Sequence, residues 1–240
     1  MGAVRALVAS VIRLVPRVGI VRASRGDGER DPGSGSRDTN RLVEFSDSVF
    51  AITITLLVLE IRAPTADGDL LHDLIALWPS YLAYVVTFLF IGQVWVNHHV
   101  MFDHIGVANR AVLLLNTLVL MVVAFLPFAT SVLARALRGG RDERTAIVFY
   151  CIAFDLTALT FNAVWQYAYR RLLLSQALGS AGATAISRRF QLALAWLTTG
   201  AVLAAVLPLL GLAVIVAFNA FYWLPIRGES PARERQERLP

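Results

Sequence analysis

The sequence predicts an all-α membrane protein with six transmembrane helices, and three observations carry that prediction. Hydrophobic residues make up 57% of the 240-residue chain and charged residues only 16%, against about 25% charged in an ordinary soluble domain. The mean hydropathy is +0.61. The apolar residues gather into six stretches near 43–61, 79–98, 110–133, 145–168, 190–207 and 209–225, each close to the roughly 20 residues that cross a bilayer as a helix. All 22 basic residues are arginines, and they cluster at the chain ends and between the stretches.

Residues 1–40 differ from the rest of the chain. The first 21 are apolar but broken by Arg5, Arg13, Pro16 and Arg17, which is too interrupted for a membrane crossing. Two readings stay open for them, an amphipathic helix on the inner leaflet or a dispensable tail. Residues 24–40, rich in Gly, Ser, Arg and Asp, read as a polar linker. The expected organisation is an N-terminal tail at 1–40, a six-helix membrane domain at 41–226 and a C-terminal tail at 227–240.

The first span opens with Arg41, Phe45, Ser46 and Asp47 and then runs uncharged for twelve residues. A charged group at the edge of lipid is costly without a partner or a task. The second span ends in Trp95-Val-Asn97-His98-His99, and the third begins after Asn109 and carries Asn116 and Pro127. The fourth holds Cys151, expected as a small buried hydrophobe, and Asp155. Asp155 reads either as a functional intramembrane acid or as a carboxyl hydrogen-bonded to Asn162 or Thr157. Only Pro208 to Gly211 divides the last two spans, so a tight hairpin is expected there, with one long kinked helix as the alternative.

Arginine counts orient the chain. With the N-terminus inside, cytoplasmic segments hold seventeen arginines and outer segments five, so both termini are expected in the cytoplasm of a cell-membrane protein. The loop from Arg135 to Arg144 runs against that rule locally, whereas the first outer loop, with Asp67, Asp69 and Asp73, agrees with it. In this topology Arg41, Ser46 and Asp47 share a membrane side with Trp95, Asn97, His98, His99 and Asn116. Polar side chains at one level of an apolar bundle must satisfy one another, so an interhelical network is expected. Asp47 is expected to take backbone amides or the His98/His99 level as its donors, helped by a nearby helix N-terminus.

The pattern Arg41-xxx-Phe45-Ser46-Asp47 resembles the signature of the transmembrane protein 175 family of potassium channels. Trp95, Asn97 and His98 or His99 match the family's second-helix cluster, and Leu115-Asn116 with Leu126-Pro127-Phe128 is similar to its third helix. The resemblance covers about residues 41–225. It implies a passive potassium conductance through a homotetramer whose first helix lines a central pore. It further implies that Ile52, Leu56 and Leu59, which recur as one helical stripe, form a hydrophobic constriction, and that Thr55 contributes a hydroxyl ring linked to potassium preference. Without the resemblance, the same stripe reads as ordinary helix packing.

Other function classes fit the residues less well. A single cysteine excludes a disulfide and a thiolate metal cluster. His98 and His99 project about 100° apart on a helix, a poor grip for one metal ion. No nucleophile stands beside Asn97-His98-His99, so no enzyme is expected. Little chain is left to build a polar face for nucleic acid. The remaining alternative is a secondary transporter or proton/cation carrier, although no internal repeat supports one. No cofactor is expected, potassium being the permeant ion and the lipid bilayer and further copies of the chain the expected partners.

Overall fold

The computed structural model describes residues 34–64, 69–175 and 178–223, with side chains from residue 39 onward. Seven helices follow in order: α1 (Ser34–Leu59), α2 (Leu70–Ala76), α3 (Trp78–Asp103), α4 (Arg110–Gly139), α5 (Glu143–Arg170), α6 (Gly179–Val206) and α7 (Pro208–Trp223). Five of them, α1 and α3 to α6, are long and apolar enough to cross a membrane, and α7 adds a shorter apolar helix. These six helices correspond to the six expected stretches. The expected tails before residue 34 and after 223 lie outside the described residues.

The helices extend beyond several of the expected stretches, and one short helix is additional. Helix α1 starts seven residues before Arg41, inside the stretch read as linker, and Thr39 there is already buried. Helix α6 starts at Gly179 rather than 190, because hydropathy marks only the greasy part of a helix and overlooks the polar turns through Arg188 and Arg189. The short α2 lies in the loop between α1 and α3, where the Asp69 carboxylate accepts the Leu71 amide at 3.1 Å and caps it. Its Leu70, Leu71 and Ile75 all point away from the bundle, the disposition of a helix lying in the membrane interface.

Helix α4 is the hub, packed against α1, α3 and α5, while α6 and α7 close the far side over α5. The core runs through Phe50, Phe90, Leu115, Val119, Leu126, Ile147, Phe154 and Trp165. A polar knot inside it joins three helices: the Thr87 hydroxyl lies 2.8 Å from that of Thr130 and 2.9 Å from that of Tyr150. Cys151 is fully buried, as expected of a small hydrophobe.

Loop contacts fix which helix ends lie together. Gly106 donates to the Leu173 carbonyl at 2.9 Å and Ser175 to the His104 carbonyl at 2.8 Å, joining the α3–α4 and α5–α6 connections. At the opposite end, Arg144 donates to the Ala205 carbonyl, satisfying an acceptor that the end of α6 leaves open. The six helices alternate in direction, so α1 starts from and α7 ends toward the same face. Gly140, at φ 62°, supplies the left-handed residue that ends α4 before α5 turns back.

The last two spans are two antiparallel helices broken at Leu207, so the hairpin reading holds. Gly211 sits against Ala204, and a Cβ there would collide with the Ala204 backbone. Backbone cannot step aside as a flexible side chain can, so Gly211→Ala is expected to cost about 1–3 kcal/mol through forced helix separation. A lowered melting temperature of the purified protein would register that cost, and an unchanged one would show that the helices can part freely.

Candidate functional site

The polar side chains at the α1, α3 and α4 ends form a directed chain of hydrogen bonds. His98, on α3, is fully buried, and its Nε2 lies 2.8 Å from Asn116 Oδ1 on α4. Asn116 Nδ2 donates to Ser46 Oγ on α1 at 2.9 Å, and Ser46 donates to the Leu42 carbonyl at 2.8 Å. Each member thus gives one proton onward, which sets the amide orientation of Asn116 and puts the His98 proton on Nε2. The His98 ring is held edge-on to Phe50, with centroids 5.3 Å apart, and tilted against Phe102 at 4.6 Å. Beside this chain, Trp95 Nε1 donates to Asp47 Oδ1 at 2.9 Å.

Five of the residues named from the sequence therefore meet: Ser46, Asp47, Trp95, His98 and Asn116. Four others do not join them. Arg41 and Phe45 are exposed on the outward side of α1. Asn97 and His99 flank His98, and at 100° per residue they must leave its face. Asn97 lines a small cavity of about 40 Å³ with Gln93 and Asn162. His99 is exposed beside Asp47 and Asp103.

The expectation for Asp47 needs correction in two respects. Its donor is the Trp95 indole rather than a backbone amide or a histidine. Because α1 begins at Ser34, Asp47 lies more than three turns into the helix, beyond the first turn in which the macrodipole is felt. Asn109 caps α4 through the Val112 amide at 3.0 Å and donates to the Tyr167 hydroxyl at 3.4 Å. Asp155 bonds neither Asn162 nor Thr157; its Oδ1 accepts the Thr198 hydroxyl of α6 at 2.7 Å. Thr157 is turned about 200° from Asp155 and donates to Ala153, while Asn162 is engaged by the Phe190 carbonyl.

The network presses one side of α1 into the bundle. Ser46, Phe50, Thr53 and Leu57 are buried at helical spacing. The opposite side is left open: Ile52 is 59% exposed, Leu56 43% and Leu59 71%, with Ser48 and Thr55 beside them. Of the five long helices, α1 is the least covered by its own subunit. Its outward hydroxyls are oriented by the backbone. Thr55 donates to the Ile52 carbonyl at 2.8 Å and Ser48 to the Glu44 carbonyl at 3.0 Å. With their protons committed to the helix, both groups present oxygen lone pairs outward. At Ser48 and Thr55 the face thus offers acceptors rather than donors, which suits a cation.

Among the described residues, no group of three or more His, Cys, Asp or Glu side chains is placed to hold a metal ion. The sequence reading missed the Thr87–Thr130–Tyr150 knot and the bond from Trp165 Nε1 to Ser187 Oγ at 2.7 Å. Isolated hydroxyls in apolar stretches carry no spacing signal that would have revealed either.

Three comparisons bear on this arrangement. Residues 41–127, from Arg41 on α1 to the proline of α4, match the family model described as the endosomal/lysosomal potassium channel TMEM175. A potassium channel of Streptomyces collinus is 49% identical over 135 residues, 55% of this chain and 66% of that one. The human endosomal/lysosomal proton channel TMEM175 is 36% identical over 138 residues, 53% of this chain and 27% of that one. The chain thus spans about two thirds of the bacterial relative's length and about a quarter of the human one's. Among solved structures, the crystal structure of a lysosomal potassium-selective channel TMEM175 homolog from Chamaesiphon minutus superposes with a TM-score of 0.71 at 33% identity. That match covers 78% of this chain and 96% of the other.

Proposed function

Given that the chain belongs to the TMEM175 family, we propose that it forms a homotetrameric, potassium-permeable channel whose first helix lines a central pore. The observation that carries the reading is the open face of α1. Ile52 and Leu59 stand on it as large apolar side chains, with acceptor oxygens presented by Thr55 between them and by Ser48 one turn before Ile52. One chain supplies one such helix, so an axial pore needs several copies, each contributing the same face. A ring of Ile52 side chains then makes a constriction that excludes water, with Leu56 and Leu59 extending it, and the Thr55 oxygens replace part of the hydration shell of a passing cation.

The polar network has a separate task in this reading. Ser46, Asp47, Trp95, His98 and Asn116 hold the angle of α1 against α3 and α4, and thereby the diameter of the constriction. The excess of arginine on the side where α1 begins supports a cytoplasmic position for both termini and a cell-membrane location. Passive conduction fits the relatives' printed descriptions better than a carrier does. Those descriptions are of channels rather than enzymes, and no cofactor beyond the permeant ion is invoked.

Reconstitution in a planar bilayer tests the reading. Unitary currents are expected, with a reversal potential under potassium/sodium bi-ionic conditions displaced toward potassium. Slow saturable flux without unitary events would point to a carrier. A reversal potential that tracks the pH gradient alone would instead assign the chain to protons, as in the human relative's description. Thr55→Ala is expected to lower the potassium-over-sodium ratio while the tetramer stays intact, since the Thr55 hydroxyl bonds its own helix rather than a neighbour. An unchanged reversal potential in that variant would remove Thr55 from the selectivity mechanism.

A further inference from the structure

One acid at the polar end of α1 is not used by the network. Glu44 is exposed, and its carboxylate takes no part in the bonds that tie α1 to α3 and α4. At 100° per residue, Glu44, Ser48, Ile52, Thr55 and Leu59 fall within about 80° of one another around the helix. Glu44 therefore stands on the face proposed to line the pore, about 12 Å along the axis from Ile52. A cavity of about 530 Å³ opens beside it, lined also by Asp47, His99 and Asp103. Among the described residues, no arginine lines that cavity. Its carboxylates do not converge on a metal site, so they act on cations through their field rather than as chelators.

Arg41 makes that field matter. It is exposed on nearly the same face, one turn closer to the start of α1. Four copies of Arg41 around an axis would place a ring of positive charge at the mouth, which opposes cation entry. Glu44 lies about 4.5 Å further along the axis, between that ring and the constriction.

We propose that Glu44 is the cation-attracting residue of the inner mouth, its four carboxylates offsetting the Arg41 ring and raising the local concentration of permeant monovalent cations. The role rests on the channel reading above and deepens it. Glu44 sets throughput, while Thr55 and the constriction set selectivity and gating.

Unitary currents of the full chain and of Glu44→Gln, measured in low and high potassium chloride, test the role. At low salt, Glu44→Gln should reduce current entering from the Glu44 side by about two- to three-fold. The difference should vanish near 1 M salt, where the screening length is about 3 Å, and the bi-ionic reversal potential should stay unchanged. Glu44→Asp should keep most of the current. A Glu44→Cys chain provides a further arm, because the native Cys151 is fully buried. A negatively charged thiol reagent should restore its current and a positively charged one should reduce it further. Equal currents in wild type and Glu44→Gln at low salt would overturn the proposal, as would equal effects of the two reagents. A shifted reversal potential in Glu44→Gln would overturn it differently, by placing Glu44 in the selectivity filter. Absence of unitary current in the wild type would overturn the channel reading itself and this role with it.

Discussion

Ile52→Asn is expected to turn a closed pore into a leaking one. Ile52 points away from its own subunit, and the residues that anchor α1, namely Ser46, Phe50, Thr53 and Leu57, lie on the other side. The substitution therefore leaves the subunit core untouched, and size-exclusion chromatography should show the same assembly as wild type. In the proposed tetramer its effect falls on the ring formed by four copies. Isoleucine rings hold a narrow passage dry, because apolar walls give water no hydrogen bonds, and an ion cannot cross without its hydration shell. Four amides stabilise water in the same passage. A barrier lowered by about 1.4 kcal/mol gives roughly a tenfold rise in flux, so the resting current should rise by at least about that factor. A well-assembled Ile52→Asn channel with unchanged conductance would rule out Ile52 as the barrier.

Asn116→Leu is expected to produce the largest loss of stability among substitutions in the network. Asn116 is fully buried and bonds both neighbours, accepting from His98 and donating to Ser46. Leucine fills a similar volume but leaves the His98 Nε2 proton and the Ser46 oxygen without their partner. An unpaired buried polar group costs about 1–3 kcal/mol, whereas interhelical hydrogen bonds in membranes average about 0.6 kcal/mol when measured in double-mutant cycles. The expected loss is therefore about 1–3 kcal/mol, seen as a lower melting temperature and weaker tetramer retention in detergent. A double-mutant cycle with Ser46→Ala should return a non-zero coupling, because the single removals share one bond. Additive effects would show that the network does not hold α1 in place.

Much of this fold was legible in the sequence for a simple reason. Long apolar runs leave the chain few choices in a bilayer, so the six helices and the hairpin at Pro208 could be read from hydropathy and from two turn residues. Helix ends were less legible, since the turns at Ser34–Asn40 and Gly179–Arg189 are polar and helical at once. The level at which Ser46, Asp47, Trp95, His98 and Asn116 meet followed from topology alone. Which of several neighbours would join did not. Asn97, His98 and His99 occupy one stretch of sequence but point in three directions, and only the packing of Phe50 and Phe102 against His98 shows which one is inward. Asp155 illustrates the same limit. Its partner Thr198 lies 43 residues away on another helix, beyond the reach of local spacing.

If the channel reading is right, the open face of α1 lies on the symmetry axis of a tetramer. A density map of the assembled protein in lipid, at side-chain resolution, puts that placement to the test. Four copies are expected, with Ile52 nearest the axis, Thr55 and Leu59 on the same wall, and the network of Ser46, Asp47, Trp95, His98 and Asn116 behind it. A map in which Ile52 and Thr55 face lipid, with another helix on the axis, would contradict it.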